Sequence, residues 1–120
     1  MLKFILLGCG RISEKHSQLL GTNKIKGASL VGVCDINLSK AKKIADIYKV
    51  PYFDSIHSLM NKVDADVIVI LTPSGFHASN ILEVIKYKKH IVVEKPMTLT
   101  VKKKKKVILE CDRAKIKLFV

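Results

Sequence analysis

The residues best suited to chemistry fall in four short stretches, and the first is Gly8-Cys9-Gly10-Arg11-Ile12-Ser13. It follows the G-x-G-x-x-G pattern with serine at the last position. The first glycine permits a tight turn, and the second lets the backbone approach a pyrophosphate. The third position lets helix and strand pack closely, a role that serine is small enough to keep in large part. A pyrophosphate there meets the free N–H groups and positive dipole end of the following helix. Taken alone, the pattern is also an ordinary glycine turn.

Asp35 is the second stretch's key residue, a little over 20 residues beyond the glycine turn, where an acidic side chain accepts hydrogen bonds from an adenosine ribose. Asp35-Ile36-Asn37 is equally good turn chemistry. A carboxylate there repels a 2′-phosphate, so NAD is expected in preference to NADP, although Lys40 is close enough in sequence to reach a phosphate. The third stretch is Leu71-Thr72-Pro73-Ser74-Gly75-Phe76-His77. Pro73 fixes a turn, the Thr72 and Ser74 hydroxyls can reach ribose or phosphate, and His77 can either contact a ligand or cap a helix. The fourth is Val93-Glu94-Lys95-Pro96. Lys95 is a candidate for orienting a carbonyl or hydroxyl oxygen and Glu94 for tuning it, because a lysine's pKa falls readily in a partly desolvated site. A surface salt bridge before a proline turn is the plainer alternative.

Other residue types carry less. Cys9, Cys34 and Cys111 form no CxxC pair, so reduced thiols are expected, with Cys9 a small buried filler rather than a nucleophile. His16, His57, His77 and His90 are scattered, and no metal site is expected. The formal charge of +12 owes much to Lys102 to Lys106 and to Lys86, Lys88 and Lys89. Such a balance can mark a nucleic-acid surface, but no aromatic residue interleaves with the Lys102 to Lys106 run for base stacking. A solvated helix face is the preferred reading, and nucleic acid is not an expected partner. No apolar run approaches the roughly 20 residues needed to cross a bilayer. With no signal-peptide pattern at the start, the expected setting is cytoplasmic.

These stretches need a scaffold that gathers them at one edge. Apolar blocks at Lys3 to Leu7, Leu30 to Cys34, Val50 to Phe53, Val67 to Leu71, His90 to Val93 and Ile116 to Val120 read as strands. Between them, helical spacing appears at 11–20, 38–48, 55–61, 77–88 and 100–114, with Asn37 a plausible cap for the second. Strand and helix alternate without a long linker across residues 1–120, which predicts one α/β domain. Its architecture is a Rossmann-type, doubly wound parallel sheet in the order 3-2-1-4-5-6.

The four stretches together resemble the Gfo/Idh/MocA oxidoreductase family, and the marks that carry the resemblance are GCGRIS followed by His16, the pair Cys34-Asp35, TPSGFHA and EKPMTLT. It spans essentially the whole chain and matches the family's N-terminal domain. By that resemblance, Gly8, Cys9, Gly10, Arg11, Ile12 and Asp35 line a dinucleotide, and Thr72, Pro73, Ser74, His77 and Glu94 border its ribose and nicotinamide. Lys95 stands beside the hydride-transfer centre as the catalytic lysine of the EKP motif. Within the family, the motifs look most like sugar-nucleotide dehydrogenases that oxidise UDP-N-acetylglucosaminuronic acid.

The implied function is the nucleotide-binding domain of an NAD-dependent oxidoreductase that moves hydride at a sugar, sugar-nucleotide or polyol carbon. Family members add a C-terminal substrate domain, which these 120 residues are expected to lack. That leaves two alternatives standing: a non-catalytic dinucleotide-binding fragment or a sensing module. The face that a second domain would cover is then exposed, which invites homo-oligomer formation.

Overall fold

The computed structural model describes residues 1–22, 24–94 and 100–120. Its centre is a six-stranded sheet in the order β3-β2-β1-β4-β5-β6. The strands are β1 (Leu2–Leu7), β2 (Ala28–Cys34), β3 (Tyr52–Phe53), β4 (Val67–Ile70), β5 (His90–Val93) and β6 (Leu118–Phe119). Every pairing is parallel, as the alternation of strands and helices requires. The helices are α1 (Ser13–Gly21), α2 (Leu38–Tyr48), α3 (Ile56–Lys62), α4 (His77–Val84) and α5 (Val101–Ala114).

Strand side chains alternate between two cores, which explains why β1 and β4 are apolar at every central position. Ile5, Leu7, Ile68, Ile70, Ile91 and Val93 pack on one face with Leu59, Ile81, Val84, Val107 and Cys111, from α3, α4 and α5. Leu6, Val33 and Val69 pack on the other with Leu20, Ala41, Ile44 and Ala45, from α1 and α2. Each such aliphatic side chain, taken out of water, contributes about 1.5–3 kcal/mol. Because β1 sits between β2 and β4, the loop that leaves it lies at the middle of the sheet's carboxyl edge.

Helix ends follow local chemistry. Asn37 accepts from Ser39 N at 3.2 Å, as expected for a cap, and Ser55 and Thr100 accept from His57 N and Lys103 N at 3.1 and 3.2 Å. Lysines in left-handed conformation follow α2, the turn after α4, and α5: Lys49, Lys88 and Lys115, with φ of 56°, 54° and 58°.

Several boundaries differ from the sequence reading, among them β2, which begins at Ala28, and β6, which is only Leu118–Phe119. α1 begins at Ser13 rather than Arg11, because Ser13 N and Glu14 N are drawn back to Gly10 O and Arg11 O in the tight turn. The helix expected to run to Lys88 tightens into a 3-10 turn over Ile85–Tyr87. β3 is only two residues long, although Pro51 O still accepts from Val33 N. Lys102 to Lys106 are all exposed on the first turns of α5. Among the described residues, no helix is long and apolar enough to cross a membrane.

Candidate functional site

At the end of β1 the chain turns at Gly8, whose N–H donates to Cys34 O at 2.9 Å and whose φ is +107°. A Cβ on Gly8 would stand 2.8 Å from the backbone of Leu71 and Thr72, so the β1 and β4 exits touch there and leave no room for a side chain. Gly10 is the opposite case: a Cβ there meets nothing within 4 Å. Ser13, at the position of the third glycine, is fully buried, and its hydroxyl donates to Gly10 O at 2.6 Å. The serine therefore packs as the glycine would and pins the turn as well.

Asp35 extends from the end of β2 back to this turn. One carboxylate oxygen accepts from Cys9 N and the other from Asn37 N, both at 2.8 Å. An ionised carboxylate has about four acceptor positions, so each oxygen keeps capacity for a second donor. Cys9 itself is buried, and its Sγ lies 3.4 Å from Cys34 O. Burial, reinforced by the Asp35 charge, pushes its thiol up to about 12. That environment suits the filler role and disfavours a thiolate nucleophile. Burial pushes the Cys34 and Cys111 thiols up as well.

Beside the turn, Arg11, Lys40, Lys43 and Gly10 line a cleft of about 460 Å³ between α1 and α2. Ile12, the next residue of the turn, is half exposed. A second groove of about 460 Å³, between α5 and β6, contains no residue of the four stretches singled out in the sequence.

The β4 exit presents Pro73 and Ser74 to solvent, while Thr72 is half-buried and donates through Oγ1 to Asn80 of α4. His77, by contrast, is 2% exposed, and its Nε2 lies 2.6 Å from Thr72 O. Its ring braces the loop through that carbonyl, and it is not a side-chain cap of α4. At the β5 exit, Glu94 N donates to Ile70 O, and Glu94 Oε1 lies 2.6 Å from Nε2 of His16 on α1.

The carboxyl edge thus brings Gly8, Cys9, Gly10, Asp35, Thr72 and Glu94 to neighbouring strand ends. Lys95 lies outside the described residues. His16 is the residue that reading for function passed over. It stands one helical turn beyond Ser13, and local spacing marks it only as the histidine that follows GCGRIS.

A tight glycine turn feeding a helix on a central strand, answered by a carboxylate on the next strand, is the architecture of a dinucleotide crevice. Residues 2–120 match the sequence profile of an oxidoreductase family with an NAD-binding Rossmann fold. The chain belongs to the Gfo/Idh/MocA oxidoreductase family.

The similarity to solved members is close. The WlbA dehydrogenase of Bordetella pertussis, solved with NADH and UDP-GlcNAcA, is 34% identical with a TM-score of 0.91, over 99% of this chain and 36% of that one. Inositol 2-dehydrogenase of Salmonella typhimurium (strain LT2) is 30% identical over 101 residues, 82% of this chain and 30% of the relative. Glucose-6-phosphate 3-dehydrogenase of Bacillus subtilis (strain 168) is 30% identical over 83% of this chain and 27% of its own length. The chain therefore spans about a third of the length of these Gfo/Idh/MocA proteins, and it corresponds to their NAD-binding Rossmann domain.

The residues present fit that cofactor. Gly10 needs to be glycine neither for its φ nor for its neighbours within the chain, which is what a backbone approached from outside by a phosphate would require.

Proposed function

We propose that this chain is the cofactor-holding part of an NAD-dependent dehydrogenase acting on a sugar, sugar-nucleotide or polyol hydroxyl. The observation that carries the reading is the Asp35 carboxylate. It is held by Cys9 N on the glycine turn and Asn37 N on the α2 cap, yet retains acceptor capacity for two ribose hydroxyls. Gly8, Gly10, Arg11 and Ile12 form the pyrophosphate turn, and the dipole of α1 supports the negative charge. Thr72, Pro73 and Ser74 border the middle of the cofactor, with His77 bracing their loop through Thr72 O. Glu94 and Lys95 serve the reacting end, where Lys95 orients the substrate oxygen. Bound NAD supplies the hydride acceptor, and the protein's part is to hold and orient it. The similarity to the Bordetella enzyme supports a sugar-nucleotide substrate, and the inositol dehydrogenase relatives support a free polyol.

One observation favours a second cofactor choice. Arg11, Lys40 and Lys43 line the cleft beside Asp35 and would welcome the 2′-phosphate of NADP if the carboxylate were gone. Calorimetric titration with NADH and with NADPH tests both readings. NADH should bind at least about tenfold tighter, the value of one lost charged hydrogen bond, and Asp35→Ala should shrink or reverse that ratio. A folded sample that binds neither nucleotide would remove the reading.

A further inference from the structure

His16 is not part of the glycine turn, yet it makes the longest-range side-chain link at the site. Its Nε2 lies 2.6 Å from Glu94 Oε1, 78 residues away in sequence. The link runs from α1, which begins at the glycine turn, to the end of β5. In the sheet β5 is separated from β1 by β4, so this contact crosses the mouth of the crevice.

The two side chains are 28% and 37% exposed. Neither is buried deeply enough to need a partner, and exposed ion pairs add little to folding. The link therefore calls for an explanation other than stability.

A comparison with Asp35 supplies it. That carboxylate is tied to the start of the same turn through Cys9 N. One turn-and-helix unit thus grips two carboxylates, one at the end of β2 and one at the end of β5. We propose that His16 is a positioning residue: by holding one oxygen of Glu94, it directs the other toward the nicotinamide end of the cofactor. Asp35 serves the adenosine end. The inference rests on the dinucleotide reading above.

The charged ring holds Glu94 through Nε2–H, and the neutral ring does so in its Nε2–H tautomer. The other Glu94 oxygen keeps its acceptor capacity. His16 then matters for one half of the dinucleotide only, which separates positioning from a general contribution to folding.

The test is titration of the chain and its variants with NADH and with ADP-ribose, which lacks the nicotinamide. His16→Leu should weaken NADH binding about tenfold, the value of one charge-assisted hydrogen bond, and leave ADP-ribose binding within about twofold. His16→Gln, whose amide N–H can still donate to Glu94, should recover most of the NADH affinity and guards against a folding defect in the leucine variant. Equal weakening of both ligands, no weakening of either, failure of the glutamine variant to recover, or equal affinity of the unaltered chain for the two ligands would each overturn the inference. If the unaltered chain binds ADP-ribose but the ratio never moves, only the role of His16 falls. If it binds neither ligand, the dinucleotide reading falls first and takes the inference with it.

Discussion

At Gly8 the backbone adopts φ +107°, and an added Cβ would stand 2.8 Å from Leu71 C and Thr72 N. Gly8→Ala therefore combines a forbidden conformation with a backbone clash and should cost about 3 kcal/mol or more. At Gly10 the φ is ordinary and the added Cβ meets nothing. Gly10→Ala should leave stability unchanged or raise it by up to about 1 kcal/mol, while weakening NADH binding at least about tenfold, roughly 1.4 kcal/mol. Thermal unfolding and calorimetry on the two variants check this crossed pattern. Equal effects on folding would show that the second glycine is a structural requirement.

The cysteines make a pH prediction at the same scale. A thiol whose folded value is raised above its unfolded one contributes stability that is intact below the unfolded value and is lost as pH rises toward the folded value. For Cys9 the window runs from its ordinary value of 9.0 to about 12, with a slope of up to about 1.4 kcal/mol per pH unit. At pH 8 the folded Cys9 thiolate is about a thousandfold scarcer than in the unfolded chain. Titration with an aromatic disulfide reagent at that pH should find Cys9, Cys34 and Cys111 silent until denaturant is added.

Among the elements, α5 is the one whose sequence works against its position. Its first two turns carry Lys102 to Lys106, all exposed, where the helix dipole favours anions. Thr100 caps the helix by accepting from Lys103 N at 3.2 Å. Lys103→Glu would complete a Thr-x-x-Glu capping box and should raise stability by about 1 kcal/mol, or about 3–5 °C in melting temperature. Lys106→Glu, farther from the helix start, should gain less. Circular dichroism melts of both variants provide the check.

The elements themselves were largely legible, because burial on two faces leaves a mark that one face cannot. Val67, Ile68, Val69 and Ile70 are all buried, and only a central strand asks for four such residues in a row. What escaped was tertiary in origin. The retreat of α1 to Ser13 depends on the turn's own hydrogen bonds, and the inward aim of His77 depends on the Thr72 carbonyl it finds. The candidate site divides the same way. Gly8, Gly10 and Asp35 could be read from local spacing, whereas the His16–Glu94 pair exists only because strand order carries residue 94 back beside residue 16.

On the scale of the whole molecule, the site occupies one edge of the sheet, and a charge of +12 is spread around it. The chain spans about a third of its relatives' length. Part of the lysine excess has also entered positions that the backbone reserves for another residue.

Lys49, Lys88 and Lys115 each hold the left-handed conformation that closes a helix, a place where glycine is at ease and a lysine is not. The fold thus carries an untapped reserve. Replacing all three with glycine should add about 1 kcal/mol at each position while lowering the formal charge of +12 by three. A denaturant midpoint that rises in three nearly equal and additive steps would reveal a domain that tolerates compositional drift at its helix ends, where strain is cheap. The glycine turn, where the same drift would cost the cofactor, has been spared.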